Sequence, residues 1–183
     1  VGGSCGAGSG SNEYYQQFWR TTDGGNSWSL FRSSVPETSL TDVLLYPDGS
    51  GYAVSSGYIW ITADSGKTWK VHLNSGANDW QEEITHINNT FLVPYSEGCS
   101  GGGSSGGMRM TTDNGRTWRQ YTTGESMFGA FLLDEKNGWA VGENQAVYKT
   151  TDGGVTWNKF KCGLSVEKHT DDIRFINDTT GFI

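Results

Sequence analysis

Four copies of one eight-residue pattern limit what this chain can fold into more than any other feature. They are TTDGGNSW (Thr21 to Trp28), TADSGKTW (Thr62 to Trp69), TTDNGRTW (Thr111 to Trp118) and TTDGGVTW (Thr150 to Trp157). Each reads Thr-x-Asp-x-Gly-x-Ser/Thr-Trp, and the aspartates Asp23, Asp64, Asp113 and Asp152 stand 41, 49 and 39 residues apart. A period of that size marks a row of small structural units, none able to bury an apolar face alone.

The chemistry of one copy is that of a turn. Asp-Gly-Gly, Asp-Ser-Gly and Asp-Asn-Gly supply the left-handed backbone positions of a tight hairpin. The carboxylate can accept N–H groups a few residues on, and Ser27, Thr68, Thr117 and Thr156 can close the same network. Trp28, Trp69, Trp118 and Trp157 start the return strand, where a large ring can cover the turn. Ahead of the fourth copy, Phe131-Leu132-Leu133, Trp139-Ala140-Val141-Gly142 and Ala146-Val147-Tyr148-Lys149 read as three strands, and residues 157–161 as a fourth. Four antiparallel strands per repeat make a β-propeller blade. The balance of 27 glycines against 3 prolines, with eight each of Trp, Tyr and Phe, suits short aromatic strands joined by glycine turns. The expected class is all-β.

Aligned on the aspartates, the chain divides into a half-blade (1–33), blades at 34–74, 75–123 and 124–163, and a half-blade (164–183). That is about four blades. The column Phe18, Ile59, Met108 and Val147 is expected to face a neighbouring blade. A segment of a larger propeller is favoured over a ring closed by zipping the two halves together.

The repeat resembles the Asp-box, or BNR repeat. The resemblance implies that the boxes are structural staples on the hairpin between third and fourth strands, away from a working face. The string GWAVGENQAVYKTTDGGVTW is most similar to propellers related to the photosystem II assembly and stability factor, a repeat type also found in exported bacterial proteins. This implies a non-catalytic scaffold for protein–protein interaction or assembly, in an extracellular, periplasmic or cell-surface setting. The alternative is a carbohydrate-active propeller, because sialidases and xyloglucan-cleaving enzymes also carry Asp-boxes. The partner is then a protein or a glycan. A sialidase-like site needs three arginines, and of six here Arg20 and Arg116 belong to the boxes or their lead-in strand. A sorting-receptor propeller is a third relative of the repeat.

Net charge is −7, with no basic cluster, so phosphate-neutralising contact with nucleic acid is not expected and an acidic membrane surface is an equally poor partner. No apolar run is long enough for a membrane-spanning helix. His72, His86 and His169 form no ligand pattern with the cysteines, so no metal site and no cofactor are expected, and His86 reads as structural. The loops between second and third strands should open opposite the boxes. Two are long and Gly/Ser-rich, Ser4 to Gln17 and Ser96 to Gly107, and the first offers Tyr14 and Tyr15 as binding contacts. Glu97 lies in the second. The link from Ser75 to Glu83 adds Asp79 and Trp80, with Glu82 and Glu83 beside them, as a second patch. Cys5, Cys99 and Cys162 converge on that face, where one disulfide would staple the loops.

Overall fold

The computed structural model describes residues 18–31, 40–76, 79–97, 105–161, 163 and 169–183, with the side chains of 18, 31 and 161 excepted. The described residues are β-structure joined by turns, with one 3-10 turn and no α-helix. Among the described residues, no helix is long and apolar enough to cross a membrane. Among the described residues, seventeen strands form five antiparallel sheets. The first is a hairpin of β1 (Phe18–Arg20) and β2 (Ser29–Phe31). The second holds β3 (Leu40–Leu45), β4 (Gly51–Ser55), β5 (Tyr58–Thr62) and β6 (Lys70–Asn74) in chain order. In the third, β7 (Asp79–Gln81) and β8 (Thr85–Ile87) both pair with β9 (Thr90–Glu97), followed by β10 (Ser105–Thr111) and β11 (Arg119–Thr123). The fourth is β12 (Met127–Leu132), β13 (Gly138–Gly142), β14 (Ala146–Thr150) and β15 (Asn158–Lys161), and the last pairs β16 (Arg174–Phe175) with β17 (Gly181–Phe182).

The period-two alternation of strands decides which seam each side chain fills. Tyr52, Val54 and Ile59 face forward onto Ile84, Phe91 and Val93 of the next sheet. Ala53 and Trp60, from the same two strands, point the other way and pack with Trp69. The next seam joins Leu92, Met108 and Met110 to Ala130, Leu132, Ala140 and Trp157. The third joins Trp139, Val141 and Val147 to Ile173 and Phe175. Ile59, Met108 and Val147 thus take the same place in three successive seams, which is the geometry of propeller blades. The side chain of Phe18 lies outside the described residues.

All four repeat turns have the same bonding. In each, the aspartate accepts from the threonine two residues earlier, at 2.8, 2.9, 2.7 and 2.9 Å in chain order. The hydroxyl four residues on donates to the other carboxylate oxygen at 2.6 Å every time. The same residue's backbone N–H completes the clamp at 2.8 to 3.0 Å. These donors stabilise the anion and hold each of the four carboxyls at about 2, well below the ordinary carboxylate range. The tryptophans differ from one another: Trp28 is 58% exposed, whereas Trp69 and Trp157 are 7% and 6% exposed. The motif fixes the turn, and packing beyond it buries the ring: Trp69 lies against Ala53 and Trp60 of its own sheet, and Trp157 in the seam shared with Met108 and Met110 of the sheet before.

The two residues after each aspartate have positive φ, including Ser65 at 60° and Asn114 at 61°. Gly24 and Gly115 therefore separate two costs. A Cβ on Gly24 meets nothing within 4 Å, whereas one on Gly115 would overlap the His72 ring. Gly24→Ala should cost only the left-handed backbone term of about 1–2 kcal/mol. Gly115→Ala should cost about 1–3 kcal/mol more through the packing conflict. Urea unfolding of the two variants should reveal that gap; equal losses would assign the whole cost to the backbone.

Two sequence expectations are corrected. The stretch from Ser75 to Glu83 is not simply a link, because β7 forms within it and pairs Asp79, Trp80 and Gln81 with Glu97, Ser96 and Tyr95. The insertion placed at Ser96 to Gly107 is partly strand. Ser96 and Glu97 extend β9, and Ser105, Gly106 and Gly107 open β10. Gly106 and Gly107 are where strands close on one another. An added Cβ would collide with the Tyr95 carbonyl oxygen at the first and the Tyr121 carbonyl oxygen at the second.

Candidate functional site

At the start of the four later sheets one aligned position carries an acid: Asp42-Val43 within β3, Glu83-Ile84 between β7 and β8, and Asp172-Ile173 just ahead of β16, with Gly129-Ala130 of β12 as the exception. Asp42 Oδ1 accepts the Val43 N–H at 2.8 Å, and its Oδ2 accepts the Ile84 N–H of the next sheet at 3.2 Å. Glu83 Oε2 does the same one sheet further on, taking the Ala130 N–H at 2.8 Å. Gly129 ends this sheet-to-sheet chain. A Cβ there would stand 2.6 Å from the Asp171 carbonyl oxygen, so glycine lets the following strand approach. Asp172 Oδ1 then takes the N–H of its own neighbour, Ile173, at 2.7 Å. Val43 and Ala130 keep their cross-strand partners Ala53 and Ala140, and register shifts fall just before them, between Leu40 and Asp42 and between Met127 and Gly129.

A cavity of about 830 Å³ opens beside these acids, lined by Thr41, Asp42, Glu82, Glu83, Phe128, His169, Asp171, Asp172 and Arg174. Asp42 pairs with Val54, next to the tight turn at 56–57, and the repeat turn follows the far end of β5. The cavity is therefore at the strand ends opposite the four repeat turns. Five carboxylates face one guanidinium and one imidazole. Arg174 donates to Glu83 Oε1 at 2.5 Å, pairs with Asp172 Oδ1 at 2.7 Å, and reaches the Ala130 carbonyl at 3.1 Å. Burial pushes the Glu83 carboxyl up, opposed by the Ala130 N–H and by Arg174. Glu82 and Asp171 are exposed, and their carboxylates make no hydrogen bond among the described residues. Beside them the ring of Phe128 meets His169 edge-on, with centroids 5.8 Å apart. Among the described residues, no three His, Cys, Asp or Glu groups are placed to hold a metal ion. The arrangement is a fixed anionic bowl with an aromatic shelf, suited to a cation.

The structure separates the residues singled out from sequence. Glu82 and Glu83 line the cavity. Asp79 is 8% exposed and ion-paired through Oδ2 with Arg109 Nη2 at 2.5 Å, so it is part of the interior. Trp80 is half-buried on the opposite side of β7. Glu97 Oε2 accepts from Ser105 Oγ at 2.8 Å at the end of the β9–β10 hairpin. Tyr14, Tyr15, Cys5, Cys99 and Cys162 lie outside the described residues. Asp42, Phe128, His169, Asp171, Asp172 and Arg174 were missed. Aligning the sheet starts, rather than the repeat turns, is the signal that finds the acidic column.

No family model and no curated protein matches the chain. Solved structures do match. YCF48 from Cyanidioschyzon merolae superposes with a TM-score of 0.51 at 19% identity, over 67% of this chain and 37% of that one. The GH74 xyloglucanase from Xanthomonas campestris gives 0.63 at 14% identity, over 79% of this chain and 27% of the enzyme. An ancestral GH74 enzyme gives 0.61 at 15% identity, over 78% and 21%. The chain spans well under half the length of each of these structures. The shared property is the fold, a β-propeller.

Proposed function

We propose that this chain is a non-catalytic propeller scaffold that binds a protein partner, with the axial cavity receiving a basic segment of that partner. The fold does not choose the role, since similar folds belong to a YCF48 protein and to xyloglucanases. The observation that carries the reading is how the cavity's carboxylates are used. Asp42, Glu83 and Asp172 are committed to backbone N–H groups or Arg174, which fixes them as a wall. Glu82 and Asp171 are left facing outward beside Phe128. A lysine or arginine side chain can meet both carboxylates and lay its stem on the ring. The four repeat turns are read as Asp-boxes that hold the blades, supported by their identical bonding.

The competing reading is a glycosidase, and the feature favouring it is Glu83, whose raised carboxyl is the usual mark of a general acid. Against it, both Glu83 oxygens already have donors, so a proton there has no free path to a glycosidic oxygen. One pair of measurements separates the two. Labelled peptides of equal length, rich in Arg/Lys, in Glu or in Gly/Ser, should bind in that order of preference by fluorescence anisotropy. Binding of the basic peptide should weaken as salt rises and fall at least tenfold in the folded Glu82→Gln/Asp171→Asn variant, a loss of about 1.4 kcal/mol. Hydrolysis of xyloglucan or aryl glycosides that disappears in Glu83→Gln would overturn the scaffold reading, as would peptide binding indifferent to charge and to the variant.

A further inference from the structure

On the side of the repeat turns, the seam between the second and third sheets contains two histidines in an aromatic nest. His86, on β8, stacks on Phe91 with centroids 4.2 Å apart, and its Nδ1 is hydrogen-bonded to the Tyr46 hydroxyl. Tyr52 lies 5.6 Å from the His86 ring and 6.4 Å from that of His72, on β6. The Tyr52 hydroxyl donates across the seam to Asn114 Oδ1 at 3.0 Å. Trp118 stands edge-on to His72 at 6.4 Å. The Nε2 atoms of both histidines and Nε1 of Trp118 are buried without a hydrogen-bond partner among the described residues. Gly115 presses directly on His72 Nε2, leaving no room there for even one added carbon.

We infer that this seam is an acid-responsive joint, which mild acid loosens by protonating His72 and His86. A neutral imidazole leaves one ring nitrogen without a proton, so it tolerates a dry setting. The imidazolium has N–H donors at both nitrogens and a full charge. At His86 one donor can use the Tyr46 oxygen, while Nε2 is buried without a hydrogen bond among the described residues, and the nearby Asn88 backbone offsets only part of the burial cost. At His72, Nε2 is buried against Gly115 without a hydrogen bond among the described residues, and the Asn114 backbone offsets only part of the burial cost. The titratable groups against the pair are Tyr46 and Tyr52, with the Asp48 carboxylate beyond them. Burial accordingly holds both imidazoles below the ordinary range, more strongly than the Asn114 and Asn88 backbones raise them. Because the folded-state values are depressed, the unfolded chain takes up more protons as pH falls below about 6.5, and stability falls with it. Other carboxyls do not mimic this. The four repeat-turn aspartates, held at about 2 in the folded state, lose their stabilising contribution only below about pH 5, as the unfolded carboxyls begin to protonate. The raised Glu83 carboxyl acts with the opposite sign, because protonation favours the folded state.

Thermal unfolding in steps from pH 7.5 to 5.0 tests the joint. The wild-type midpoint should fall by several degrees, and the His72→Phe/His86→Phe variant should be nearly flat. The third histidine, His169, is present in both proteins and so is controlled for. A flat wild-type profile, or an equal fall in the variant, overturns the inference. Should the variant fail to fold, hydrogen exchange on the wild type decides. After correction for intrinsic pH dependence, protection in β6 and β8 should drop at pH 5 while β13 and β14 keep theirs. Uniform loss, or none, overturns it.

Discussion

Asp79→Ala should destabilise the folded chain by about 3–5 kcal/mol, among the largest effects of any single substitution. Asp79 and Arg109 have side chains only 12% and 5% exposed, and Arg109 also lies over the Tyr95 ring at 3.9 Å. Its Nε donates to Gln120 Oε1 at 3.2 Å, while Nη1 is buried without a partner among the described residues. Removing the carboxylate strands a guanidinium in the interior, and desolvation of that charge, rather than loss of one contact, sets the magnitude. The corresponding third-strand position is aromatic in the other repeats: Trp19, Trp60 and Tyr148. Arg109→Tyr in the Asp79→Ala background should therefore recover most of the loss, because no buried charge is left. Denaturant midpoints of the three proteins test this. A double variant as unstable as Asp79→Ala alone would mean that the charge was not the problem.

Trp139→Ala should also cost about 3–5 kcal/mol, the range for truncating a buried aromatic, and its effect should reach the candidate site. Trp139 is 6% exposed and stacks on Phe175 with centroids 4.2 Å apart. With Val141, Val147 and Ile173 it forms the apolar seam that docks β16, and the segment around β16 supplies Asp171, Asp172 and Arg174 to the cavity. The Arg174 ion pairs cannot replace that seam. The Arg174 side chain is 51% exposed, and surface pairs of this kind contribute about 0–1 kcal/mol. Hydrogen exchange should rise across residues 173–176 in Trp139→Ala and be largely restored in Trp139→Phe. Unchanged protection there would show that the last sheet is held by something other than this stack.

The legible parts of the fold were local. A turn in which a threonine, an aspartate, a glycine and a second hydroxyl bond only to one another is complete within eight residues, so sequence reveals it. The same holds for the apolar column of Ile59, Met108 and Val147, since strand alternation needs only a register. Illegible parts depended on partners far along the chain. Asp79 looks like a solvated link residue until Arg109, thirty positions on, is folded against it. Gly106 and Gly107 look like flexible linker until the Tyr95 and Tyr121 carbonyls are seen where their side chains would be.

The acidic cavity divides in the same way. Aligned sheet starts make Asp42, Glu83 and Asp172 a column, and that much is written in the residue order. Whether a carboxylate in a column is free, spent on a neighbour's N–H or paired with Arg174 is set by distances between successive sheets. The four repeat turns are written in the sequence because each aspartate's clamp by a threonine and a second hydroxyl closes within a single turn. Only the packing of one sheet on the next decides which carboxylates face outward as a site and which are buried as structure, because burial and pairing are properties of a neighbour's position.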